Sequence, residues 1–292
     1  MPPRDAPWTT RRLLKWTTDY FQRKAIDSPR LSAEMLLAHV LEVPRLRLYM
    51  EADRPAAPEE RDAFRALVER AANHEPVDYL VGESPFFSLT FEVGPAVLVP
   101  RPSTETLVEH VLQHARQTPG FKRPTIADIG TGSGAIAVAL AKHLPESRVI
   151  ATDIAEAALA VARRNAERHA VADRIDFRLG PGLEPIDRES ITVLASNPPY
   201  IPDHEWDAVP SNVRDYEPTQ ALRGGVDGLD VLRTLVEGCG DVLADPGQLV
   251  LEHAASHAKD LVALAESQPH LEHVHDLADH ERLPRVLVAD RK

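Results

Sequence analysis

The sequence predicts an α/β protein in which a mainly parallel sheet, covered on both faces by helices, follows a small helical bundle. Three observations carry this expectation. From Thr125 onward, short apolar strands alternate with amphipathic helices. Residues 1–76 show only helical spacing, and between Val77 and Pro100 the period shifts toward that of strands.

In the amino-terminal part, LLKWTTDYFQRK, SPRLSAEMLLAHVL and PEERDAFRALVERAAN each place apolar residues at i, i+3, i+4. Pro29 and Pro58 stand at helix starts, where a missing N–H costs nothing. Residues 77–100 are expected to form a linking hairpin, with LTFEVGPAVLVP turning around Gly94-Pro95. A helix through TETLVEHVLQHAR opens the third part, residues 101–292. The strands TIADIG, RVIATD, RIDFRL, ITVLAS and GQLVLEH follow, interleaved with helices through GAIAVALAKHL, AEAALAVARRNAERH and DGLDVLRTLVEGCGDVL.

The 292-residue length favours two domains, or one with a large appendage. No run reaches the roughly 18 apolar residues of a membrane span, and MPPRDAPWTTRR lacks the apolar core of a secretory leader. The single cysteine, Cys239, excludes an internal disulfide framework, fits a reducing cytoplasm and reads as a small buried residue on a helix. With 33 basic against 45 acidic residues the net charge is −12, which argues against nucleic acid as the main substrate and suits a basic protein partner.

The first chemical signal is IADIGTGSGAIAVAL. Gly130, Gly132 and Gly134 follow an apolar strand and open a helix, so a ligand could approach the turn backbone and the helix N-terminus. Asp153 ends the next strand, about 20 residues on, where a carboxylate reaches ribose hydroxyls. Taken alone, the glycines equally suit an ordinary strand–helix turn and Asp153 an N-cap. Together they favour a nucleoside cofactor, and the G-x-G-x-G spacing favours S-adenosylmethionine (SAM) over a dinucleotide. Asp128 is expected near the cofactor's positive charge.

The second signal is SNPPY, with Asn197 leaving the carboxyl end of ITVLAS, the edge at which open α/β sheets bind ligands. Two prolines hold an amide and a phenol rigidly there. The order DIGTGSG, Asp153, SNPPY resembles the class I methyltransferases that alkylate amide or amino nitrogens. EPVDYLVGESPFFSLTFEVGPAVLVPRPSTETLVE, YEPTQALRGGVDGLDVLR, GQLVLEH and the amino-terminal helices resemble the HemK/PrmC family of protein glutamine methyltransferases over nearly the whole chain.

That resemblance implies a Rossmann-like, mostly parallel seven-stranded sheet, a helical domain that recognises the protein substrate, SAM as cofactor with S-adenosylhomocysteine as product, and class 1 peptide chain release factors as partners. The reaction implied is N5-methylation of the glutamine in their GGQ motif. A cytoplasmic monomer without membrane or direct nucleic-acid binding is expected. On the same basis Asp128, Gly130, Thr131, Gly132, Gly134, Asp153, Ile154, Gly182 and Asn197 would serve the cofactor. Asn197, Pro198 and Tyr200 would be catalytic. Asn197 and the Pro198 carbonyl would accept from the substrate NH₂ and Tyr200 would pack on its plane. Pro199, Arg101 and Glu105 would complete the substrate side, with Arg101 and Glu105 positioning the turn or the substrate; as a plain helix start, PRPSTE would use Ser103 or Thr104 as its cap. Glu217-Pro218 and Gly224-Gly225 would shape the adjoining loop.

The sequence departs from that pattern after RIDFRL, where Pro181 and Gly182 replace an acidic residue expected beside adenine, leaving backbone or Leu183 for the contact. Thr192 replaces another aspartate and reads as structural. His273 and His275 would share a face of a late strand, too weak a pattern for a metal site. A ribosomal-protein glutamine methyltransferase, a nucleic-acid amino-methyltransferase and a non-catalytic SAM-binding protein are the alternatives.

Overall fold

The computed structural model describes residues 7–118, 121, 123–188 and 190–292. Residues 1–6, part of the stretch read for a leader, lie outside them. The chain divides into two compact units, one of Met1–Gly82 with Ser211–Tyr216 and one of Glu83–Pro210 with Glu217–Lys292.

The first unit contains α1 (Thr10–Arg23), α2 (Pro29–Val40), α3 (Arg45–Met50), α4 (Pro58–Ala72) and α5 (Val77–Val81), to which the short α9 (Ser211–Arg214) is added. Thr9 caps α1 by accepting from the Arg12 N–H, and Pro29 and Pro58 begin α2 and α4 as expected. The apolar stripes meet in a core of Phe21, Leu36, Leu37, Leu48, Phe64 and Val68, each almost wholly buried. The Tyr216 hydroxyl donates to the Asn73 carbonyl, which fastens the returning segment to the end of α4.

In the second unit, β1 (Glu83–Phe86) and β2 (Leu89–Glu92) form an antiparallel hairpin. The expected turn at Gly94-Pro95 is therefore corrected: the chain reverses at Phe87-Ser88, both at positive φ (49° and 61°). A two-residue hairpin loop needs that geometry, and Gly or Asn normally supplies it. Here Glu105 accepts from the Phe87 N–H at 2.8 Å, and the Phe87 ring meets His143 edge-on.

The larger sheet is built from β3 (Thr125–Ile129), β4 (Arg148–Asp153), β5 (Ile175–Leu179), β6 (Ile191–Ser196), β7 (Leu243–Glu252), β8 (Leu271–Ala278) and β9 (Pro284–Arg291). Its order is β5-β4-β3-β6-β7-β9-β8, with only β9 antiparallel to its neighbours. The helices α6 (Glu105–Gln117), α7 (Ala135–His143), α8 (Glu156–Arg168), α10 (Asp230–Val242) and α11 (Ala258–Glu266) complete the unit. β3 is buried on both faces, and α7 is buried from Ala135 to Ala141, as a strand and helix at the centre of a layered fold must be.

Cys239 is fully buried on α10, and burial pushes its thiol up to about 12, so it is an inert core group. Thr192 donates to the Thr125 carbonyl and ties β6 to β3, a structural role. β8 carries a register irregularity between Glu272 and His275, with His273 at positive φ; His273 and His275 are both exposed, and Val274 between them packs against the core. Among the described residues no group of three or more His, Cys, Asp or Glu is arranged to hold a metal ion, and no helix is long and apolar enough to cross a membrane.

Candidate active site

Strand order reverses at β3, which pairs with β4 on one side and β6 on the other. Open α/β sheets leave a crevice at the carboxyl ends of the strands flanking such a point. A cavity of about 290 Å³ lies there. β3 and its turn contribute Ile129, Gly130 and Gly132, β4 and the start of α8 contribute Asp153, Ile154 and Ala158, and β6 contributes Ser196 through Pro199. Gly180, Pro181 and Gly182 close one side, and Ala96–Leu98 with Pro218, Gln220, Ala221 and Val231 close the rest.

The glycine turn is held from behind and from the side. Asp128 is fully buried, its Oδ2 accepting from the Thr131 hydroxyl at 2.7 Å and the Ala137 N–H at 3.1 Å, while its Oδ1 has no partner. Burial pushes this carboxyl up to about 7, against the pull of the two hydrogen bonds. Asp153 accepts from the Gly132 N–H and the Ala155 N–H, each at 2.9 Å, so both oxygens are fixed, and the residue lines the cavity. Asn165, buried on α8, donates to the Ser133 carbonyl and brackets Glu92 of β2, joining the turn to the hairpin.

The SNPPY turn is held from three directions. Ser196 donates to the Ile129 carbonyl, locking the ends of β6 and β3 together. Ile201 exchanges backbone hydrogen bonds with Leu222 and Gly224, and Asp203 donates to the Gly225 carbonyl. Gly228 packs directly beneath the turn, since a Cβ there would lie 2.5 Å from the Tyr200 carbonyl. The Asn197 Nδ2 donates to the Thr104 hydroxyl at 3.1 Å. Behind Thr104 stands Glu252, wholly buried at the end of β7. Its Oε1 accepts from the Ser103 hydroxyl at 2.9 Å, and its Oε2 has no partner within hydrogen-bonding geometry. Burial pushes the Glu252 carboxyl up, and the Thr104 and Ser103 hydroxyls that face it oppose the rise.

Of the residues expected at the cofactor, Gly130, Gly132, Asp153, Ile154, Gly182 and Asn197 line the cavity. Asp128, Thr131 and Gly134 stand behind that surface and shape the turn. Pro198 and Pro199 line the cavity, whereas the Tyr200 ring packs against the core of the sheet. Burial, reinforced by the Glu252 charge, pushes the Tyr200 phenol up to about 12, so it is neutral and no base.

Arg101 pairs with the buried Glu217 at 2.5 Å, and Glu217 also accepts from the Val99 N–H, so this pair fixes two walls of the cavity. Glu105 serves the hairpin turn. Neither Ser103 nor Thr104 caps α6; both hydroxyls are turned toward Asn197 and Glu252 instead, which corrects the plain helix-start reading. Leu183, named with backbone for the adenine contact, is half-buried against the core, and Pro181 and Gly182 line the cavity. Thr104, Glu252 and Asn165 were missed as site residues; an acidic residue closing an otherwise apolar strand, VLE, was the available signal.

A family model described as the PrmC N-terminal domain matches residues 12–82, and one described as the methyltransferase small domain matches residues 102–212. A release factor glutamine methyltransferase of Rhodopirellula baltica is 44% identical over 286 residues, 96% of each chain. This chain belongs to the release factor glutamine methyltransferase family. A Geobacter sulfurreducens member of the family is 40% identical over 257 residues, 88% of each chain. Among solved structures, a methyltransferase from Pyrococcus furiosus superimposes with a TM-score of 0.50 at 19% identity, covering 70% of this chain and 90% of its own. The hMettl16 catalytic domain superimposes at 0.52 and 17% identity over 70% of this chain and 76% of its own, a likeness of fold alone. The Rossmann-like, seven-stranded sheet expected of the family is thus present in this member, with a helical unit before it.

Proposed function

We propose that this chain methylates the side-chain amide nitrogen of the glutamine in the GGQ motif of class 1 peptide chain release factors. The single observation that carries the reading is the tethered Asn197, whose NH₂ is spent on Thr104 so that its carbonyl oxygen is left for a nitrogen donor in the cavity.

The residues present fit SAM. A Cβ on Gly130 or Gly132 would meet nothing within 4 Å, so the turn leaves open space where a ligand backs onto main chain. Asp153 offers lone pairs to a ribose diol, and Ile154, Pro181 and Gly182 offer an apolar, charge-free wall to the base. When bound, SAM supplies an electrophilic sulfonium methyl: the new N–C bond forms as the S–C bond breaks, sulfur keeps the electron pair, and the amide proton leaves to solvent.

The chain's own residues need only orient the nucleophile. A carboxamide nitrogen is weakly nucleophilic because its lone pair is delocalised, and acceptors on both N–H groups favour the pyramidal geometry of the transition state. Asn197 Oδ1 and the Pro198 carbonyl are those acceptors. Positioning of this kind can supply up to about 7–11 kcal/mol in well-oriented systems. With Tyr200 neutral, no side chain in the turn acts as a base.

Residues 1–76 form the recognition domain, because one glutamine side chain cannot by itself be told from all others. Residues 77–100 link it to the catalytic part, residues 101–292. The enzyme works as a monomer in the cytoplasm on a protein partner. The test is transfer of label from SAM to purified release factor, ribosomal protein or DNA. Label is expected in the release factor alone and lost with Asn197→Ala, while SAM affinity stays within a few-fold. Label in another substrate, or loss of SAM binding in the variant, overturns the reading.

A further inference from the structure

Asn197 can present two opposite faces. A half-turn of its amide exchanges an acceptor for two donors, and the two orientations occupy nearly the same space. In one, the cavity receives a carbonyl oxygen that fits an incoming NH₂. In the other, donor faces donor and the substrate nitrogen has no acceptor. Nothing in the motif SNPPY chooses between them.

The choice is made outside the motif. Thr104, 4% exposed, sits within 3.1 Å of Asn197 Nδ2. A hydroxyl has one proton to give and lone pairs to accept with, so its role toward Asn197 depends on where that proton goes. Glu252, wholly buried behind it, is a carboxyl with an unpartnered oxygen. Ser103, one residue earlier, already donates to the other oxygen. The Thr104 hydroxyl faces the Glu252 carboxyl without closing a hydrogen bond of ordinary geometry. That unsatisfied oxygen attracts the Thr104 proton in preference to Asn197, which leaves the Thr104 oxygen to accept from Asn197 Nδ2.

We propose that Thr104, backed by Glu252 and Ser103, is a positioning residue that sets the polarity of the Asn197 amide and so makes the cleft select a nitrogen donor. The inference rests on the role of Asn197 in the proposed function. Thr104 touches neither cofactor nor substrate; it acts only through Asn197. The bracket also accounts for a buried glutamate and two adjacent buried or half-buried hydroxyls at a helix start where neither caps the helix.

The decisive comparison is Thr104→Val against Thr104→Ser, measured by label transfer to the release factor. Valine keeps the shape and removes the hydroxyl; serine restores it. Thr104→Val should lower kcat about 10- to 100-fold, the range for an orphaned polar contact at a reacting group. KM for the release factor, SAM affinity and melting temperature should stay near those of the unaltered protein, and Thr104→Ser should recover most of the loss. Glu252→Gln is the second variant: its amide donates toward Thr104, turns that hydroxyl into a donor toward Asn197, and should reproduce the kcat loss. Full kcat in Thr104→Val or in Glu252→Gln, no recovery with serine, or a kcat loss paralleled by weakened SAM binding or melting overturns the proposal. If Asn197→Ala is inactive while Thr104→Val is fully active, only this inference fails. If Asn197→Ala is active, the proposed function fails with it.

Discussion

Replacing Asp128 by Asn should make the protein more stable at neutral pH and remove part of its pH dependence. Asp128 is fully buried, with one carboxylate oxygen bonded to Thr131 and Ala137 and the other unpartnered. Its pKa rises from 3.8 to about 7, chiefly through burial. The unfolded chain ionises this group near 3.8 and the folded chain near 7, so between these values the folded state holds more protons. Stability then falls as pH rises, and the loss is complete above the folded value. At about 1.36 kcal/mol per unit, the gap of roughly three units sets a ceiling of about 4 kcal/mol. Asparagine keeps the shape and the acceptor for Thr131 and Ala137 but never ionises. Thermal melts of both proteins from pH 4 to 8 should show the variant gaining on the parent as pH rises, with about 2–4 °C per kcal/mol for a domain of this size. Melting curves that run parallel across that range would refute the burial argument.

Asp153→Ala should raise the Kd for SAM about 10- to 100-fold by calorimetry, since hydrogen bonds to a charged group contribute about 1.5–3 kcal/mol; a change below threefold would remove Asp153 from the cofactor site. Gly228→Ala would push a Cβ to 2.5 Å from the Tyr200 carbonyl and 2.7 Å from His257, at a φ of +80°. It should cut kcat by tenfold or more with SAM affinity unchanged, because displacement of an orienting turn by about 1 Å can cost 10²-fold.

Much of the architecture was legible because it rests on local patterns. Apolar runs such as IADI and VLAS mark strands buried on both faces, and Gly130 after the first and Asn197 after the second mark the crevice. Other features depend on contacts between distant residues. Thr104 and Asn197 are 93 positions apart and Ser103 and Glu252 149 apart, so no spacing rule could join them. The short α3 and α5 carry too few residues to display a period, and both escaped the sequence reading. The hairpin turn was misplaced because Phe87 and Ser88 take positive φ without glycine, held by Glu105 and His143 rather than by intrinsic preference. Tyr200, expected over the substrate plane, is half-buried and packs against the core cluster, a tertiary contact that its neighbours in sequence do not reveal.

The SNPPY turn is five residues of sequence, but its geometry belongs to several segments. The β3 end holds Ser196, Leu222 through Gly228 clamp Ile201 and lie under Tyr200, and Pro102–Thr104 with Glu252 grip Asn197. Such a turn is not portable. Transplanted alone onto another parallel sheet it would carry the asparagine without the parts that aim it, and a working graft would have to bring every one of these segments in register.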